Sequence, residues 1–102
     1  MTKMTPLLLL SGCLLAIGPA QAGDAAAGKA KASDICADCH GMDGKEDKEF
    51  PIAGMSADDF TKAMKEYQSG VRTKSKKMTK SASKVNDADI ADLAAYYGSL
   101  PK

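Results

Sequence analysis

The sequence has no tryptophan and one histidine, and Phe50, Phe60, Tyr67, Tyr96 and Tyr97 are its only aromatic residues. With 102 residues it is long enough for one domain and too short for two. Neither sign of charge dominates: 14 basic residues face 13 acidic ones, for a formal charge of +1. That balance removes the basic excess a nucleic-acid partner requires. No alternating strand pattern and no internal repeat occurs, so the expected class is all-α.

The one long apolar run, Leu7 to Ile17, follows the basic Lys3 and leads to Ala20-Gln21-Ala22. A charged start, a short apolar core and a small-x-small site together read as a secretory signal peptide cleaved after Ala22. A retained anchor is the alternative, but the run is short for a bilayer span. Leu10-Ser11-Gly12-Cys13 also resembles a lipoprotein box, with Cys13 as the acylated residue. The apolar core continues past Cys13 through Ile17, whereas a lipoprotein turns polar there. The expectation is a soluble, secreted bacterial protein of the periplasm, with residues 1–22 removed and residues 23–102 forming the domain.

Without the leader only Cys36 and Cys39 remain as thiols, and the formal charge falls to near zero. A domain this small, with so few large side chains, needs an added core element: a disulfide, a metal or a cofactor.

The domain reads as three helical stretches joined by loops. Asp24 is a candidate N-cap for an Ala- and Lys-rich helix reaching to about Asp38. Gly41 to Ala53 contains Gly41, Gly44, Pro51 and mixed charges, and reads as loop. Ser56 and Asp59 have capping-box spacing, and Phe60, Ala63, Met64 and Tyr67 then recur as one helical face. Gly70 suits the end of that helix. From Val71 to Lys84 the chain is polar and basic, with Met78 its only large apolar residue after Val71, and it reads as a loop. Asn86 is placed to cap a last helix, with Asp87 and Asp89 in its first turn and Ile90, Leu93, Ala94 and Tyr97 on one face.

The chemistry lies in Cys36-Ala37-Asp38-Cys39-His40. This C-x-x-C-H string is the signature of c-type haem attachment: two thiols add across the vinyl groups and the adjacent imidazole lies under the iron. Export supports it, because this kind of attachment is expected outside the bacterial cytoplasm. The pair has three rival readings. A thioredoxin-like couple expects a βαβ setting, which is missing. A structural zinc site needs four ligands, and the domain offers two Cys and one His. A plain disulfide is permitted after export but leaves the adjacent sole histidine unexplained.

Around this motif the sequence resembles the class I c-type cytochromes, closest to the small soluble bacterial monohaem kind, of the cytochrome c-553 type. The likeness spans almost all of residues 23–102. It comprises Gly28 ahead of the first Cys, then CADCHG, then Gly44, Phe50, Pro51 and Ala53-Gly54. A helix follows, then Gly70 and Arg72 in a G-x-R string, a Met, and a closing DIADLAAYY segment. The resemblance implies a cytochrome c fold, three to five helices wrapped around one covalent haem, with the first and last helices crossing. It implies that Gly28 lets those helices approach closely, against Tyr96 or Tyr97. It also implies that the Pro51 carbonyl accepts the second ring N–H of His40, and that Arg72 pairs with a haem propionate. Taken by itself, Arg72 is equally a solvated basic residue among many.

With one His, bis-His ligation within the monomer is excluded, and Met42, Met55, Met64 and Met78 are the candidates for the sixth iron ligand. Met42 lies too close to His40 to reach the opposite haem face. Met64 belongs to an apolar helical face. Met55, at a loop-to-helix junction, stays open. Met78 has no evident packing reason, is far enough along the chain, and falls where the family places its ligand, eleven residues before Asp89. Met78 is the choice, so His40 and Met78 are the expected iron ligands.

Arg72, Lys74, Lys76, Lys77, Lys80 and Lys84 surround Met78 with no acid among them, while Asp34 to Asp59 holds eight acids against Lys45 and Lys48. The expected function is a single-electron carrier, not an enzyme, with protein redox partners bearing an acidic docking patch. The alternative role for the basic run is solvation alone. One functional alternative is a haem subunit docked on a flavoprotein dehydrogenase, because the stretch around Lys76, Lys77 and Met78 resembles the cytochrome subunits of flavocytochrome c sulfide dehydrogenases. Another is a ligand-binding or catalytic haem protein whose sixth position is open.

Overall fold

The computed structural model describes residues 23–102. The leader and Cys13 lie outside the described residues, and with them the expectations of cleavage, anchoring and lipidation. Among the described residues there are five helices and no strand: α1 (Ala25–Ile35), α2 (Ala37–His40), α3 (Ala57–Ser69), α4 (Lys76–Ala82) and α5 (Asp87–Gly98). No helix among them is long and apolar enough to cross a membrane.

Each longer helix starts where a side chain relieves its free amides. Asp24 Oδ1 accepts the Ala26 and Ala27 N–H groups at 2.9 and 3.2 Å, opening α1. Ser56 Oγ accepts the Asp59 N–H at 3.1 Å, opening α3. At α5 the exchange is reciprocal: Asn86 Oδ1 accepts the Asp89 N–H at 2.8 Å, and Asp89 Oδ2 accepts the Asn86 N–H at 3.1 Å. Gly70 ends α3 with φ 85°, a left-handed conformation that glycine adopts without cost.

The first and last helices cross at bare backbone. A Cβ on Gly28 would lie 1.9 Å from the Asp92 carbonyl oxygen and 3.0 Å from Tyr96 Cβ, so only glycine fits. The expected approach against Tyr96 is the observed one. Asp92 Oδ1 accepts the Asp24 N–H at 2.8 Å, and Lys31 faces Asp89 across the same crossing. Beneath it, Ala32 joins Phe60, Met64, Ala82, Val85, Ile90, Leu93, Ala94, Tyr96 and Tyr97 in one buried cluster. The faces expected of α3 and α5 thus meet in this core, with Tyr67 packed at its margin.

Two boundaries differ from expectation. The first helix breaks at Cys36 and a separate turn, α2, carries Ala37 to His40. The basic run is not all loop: Lys76–Ala82 is helical, capped by Ser75, whose Oγ accepts the Met78 N–H at 3.1 Å. Ala82 is fully buried and supplies the apolar contact that holds this helix down. In the sequence the polar residues around it mask that anchor.

Candidate haem site

Cys36 closes α1 and Cys39 and His40 lie on the turn that follows, so one short backbone unit fixes all three. Both thiols are free; Cys36 is half-buried and Cys39 exposed. Burial pushes the Cys36 thiol up to about 11, while a hydrogen bond with Tyr97 works the other way. His40 is buried, and burial lowers its pKa against a smaller opposing pull from Asp47. The imidazole is thereby kept neutral, the form in which it binds a metal.

The chain just after His40 is held from the far helix. The Tyr97 hydroxyl donates to the Gly41 carbonyl at 3.1 Å and the Tyr96 hydroxyl to the Met42 carbonyl at 2.6 Å. Glu46 N–H donates to the His40 carbonyl at 3.0 Å. The two rings meet edge-on, with centroids 5.1 Å apart, and Tyr97 stacks on Phe60. The sequence places both tyrosines in packing and gives no sign of these hydroxyl bonds, whose acceptors lie more than fifty residues away.

His40 Nδ1 is a buried polar atom with no hydrogen-bond partner, the Pro51 carbonyl included. Pro51 itself is exposed. Arg72 turns toward its own neighbourhood: its Nη2 and Nε donate to Glu66 Oε1 at 2.7 and 3.1 Å, and its guanidinium lies 5.7 Å from the Tyr67 ring centroid. Of the methionines, Met64 is core as expected, and Met42, Met55 and Met78 are partly buried against the cluster. No group of three or more His, Cys, Asp and Glu side chains that could hold a metal occurs among the described residues. Two free thiols beside an imidazole with an unsatisfied buried nitrogen fit a covalently tethered iron porphyrin.

An all-helical domain that presents C-x-x-C-H at the break after its first helix, with first and last helices crossed at a glycine, is a cytochrome c fold. The comparisons agree. The family model described as cytochrome c oxidase, cbb3-type, subunit III matches residues 23–96. Cytochrome c4 of Pseudomonas aeruginosa is 42% identical over 101 residues, covering 97% of this chain and 49% of that protein. Cytochrome c-554(548) of Halomonas halodenitrificans is 43% identical over 82 residues, covering 76% of this chain and 98% of the relative. Cytochrome c-554(547) of Halothiobacillus neapolitanus is 32% identical over 90 residues, covering 78% and 99%. The chain belongs to the c-type cytochrome family, which implies a covalent c-type haem with iron, and Cys36 and Cys39 have the spacing of its attachment motif. It spans about half the length of the cytochrome c4 relatives it matches.

Proposed function

We propose that this chain is a periplasmic one-electron carrier whose iron is held between the His40 imidazole and the Met78 thioether. The observation that carries the reading is the unit at the break after α1, two free thiols and a buried imidazole on one short stretch of backbone. The haem supplies a ferrous–ferric couple, and thioether ligation favours the reduced state. The protein's part is to hold and shield. Cys36 and Cys39 would tether the haem, burial favours the neutral His40 imidazole, and the tyrosine hydroxyls fix the backbone that follows it. The Pro51 carbonyl is the acceptor that the family resemblance implies for His40 Nδ1, and Arg72 the partner for a propionate. Glu66 already occupies Arg72, so a propionate would share that guanidinium rather than find it idle.

If His40 and Met78 both held the iron, no position would be left for a substrate, which favours electron transfer over catalysis. Lys76, Lys77 and Lys80 are exposed on the helix that bears Met78, a charge pattern suited to an acidic redox protein.

The test is spectroscopic. The protein matured in a host competent for haem attachment should carry one haem in its mass and give a c-type pyridine haemochrome. Its ferric form should show the weak far-red band of methionine–iron ligation, and Met78→Ala should abolish that band and lower the potential. A colourless protein would remove the haem reading. A band that survives in Met78→Ala would remove Met78 as ligand.

A further inference from the structure

Gln68 stands on the penultimate residue of α3, with an exposed side chain and no place in the haem motif. Its Nε2 donates to two carbonyls at once, Ala82 and Val85, each at 2.9 Å. Two acceptors face the same atom, so only the NH2 end of the amide fits there. Ala82 is the last residue of α4, and Val85 precedes the cap of α5; both residues are buried. Helix C-termini leave carbonyls without intrahelical partners; the Ala82 carbonyl is one, otherwise met only by the Val85 N–H at 3.4 Å, and a side chain from a different helix bonds it together with the Val85 carbonyl in the α4–α5 junction.

Ala82 lies one turn after Met78 and therefore on the same face of α4. Fixing the Ala82 carbonyl fixes the level at which the Met78 side chain leaves the helix. Helix α4 has only seven residues, and its own cap, Ser75, orders its start without tying it to another element. A helix this short is marginal by itself. We infer that Gln68 is a positioning residue for the sixth iron ligand, anchoring the far end of α4 so that Met78 is held at the metal. This rests on the proposed His40–Met78 ligation.

The experiment uses the ferric holoprotein and imidazole as a competitor for the sixth position. Gln68→Met keeps the side-chain length and loses both donors. With two hydrogen bonds gone, imidazole should displace Met78 about tenfold more readily, and the far-red band should fade at a lower imidazole concentration. Amide exchange in 79–83 should quicken while that in α5 stays put. Lys62→Met, which removes a polar side chain from an exposed site on the same helix, should change neither. If wild type and Gln68→Met give the same imidazole titration, or if Gln68→Met lowers thermal stability without moving it, the anchoring role is overturned. If the wild-type protein has no far-red band, the Met78 ligation fails and the inference goes with it.

Discussion

At the scale of single residues, Tyr97 combines the two kinds of interaction on which the site depends. Its ring is fully buried and stacked on Phe60, while its hydroxyl reaches the Gly41 carbonyl one residue past His40. Tyr97→Phe keeps the ring and leaves that carbonyl with only its longer bond from the Gly44 N–H at 3.3 Å, which should cost about 1 kcal/mol. Thermal unfolding of the holoprotein would read this as a melting point several degrees lower. A pH effect follows from the same burial, which raises the Tyr97 hydroxyl above its ordinary range, with the neighbouring Cys36 adding to the rise. A raised pKa means that the folded form keeps the proton longer than the unfolded one. The contribution is therefore complete below the unfolded value of about 10 and is lost as the pH climbs beyond it. Denaturation at rising alkaline pH should show a steeper loss in the wild type than in Tyr97→Phe.

At the scale of elements, the α1–α5 crossing is the least forgiving contact. In Gly28→Ala the new methyl would meet the Asp92 carbonyl, which is backbone and cannot rotate away. Forced overpacking of this kind costs about 1–3 kcal/mol, so denaturant titration should show a clearly lowered midpoint. What the sequence disclosed about these elements depended on how local the signal was. Helices α3 and α5 were legible because their caps and apolar periods lie within a dozen residues, and C-x-x-C-H was legible because it is contiguous. Helix α4 was not: two turns with one half-buried Met and one buried Ala give too little period to read against six basic neighbours. Arg72 shows the same limit. Its partner Glu66 comes within reach only because Gly70 reverses the chain between them, a fact of three-dimensional turn geometry.

At the scale of the whole molecule, acids gather between residues 34 and 59 and bases between residues 71 and 85, so the two stretches are oppositely charged. If the basic stretch meets the redox partner, electron transfer to an acidic acceptor should slow as salt rises, since screening shortens to about 8 Å at physiological ionic strength. Stopped-flow rates should fall several-fold between low and physiological salt, and a Lys76→Glu, Lys77→Glu double variant should flatten that dependence. A rate indifferent to salt would leave the lysines as solvation. The crossed helices bear on this scale too, since they come from opposite ends of the domain and grip each other through carbonyls and the missing side chain of Gly28. A cut in the chain between them would yield two fragments, each owning half of the clasp, and the halves would stay married across the cut. Shedding the fragment that carries the porphyrin demands that the outermost helices separate first, so durability here belongs to the ends of the domain rather than to its loops.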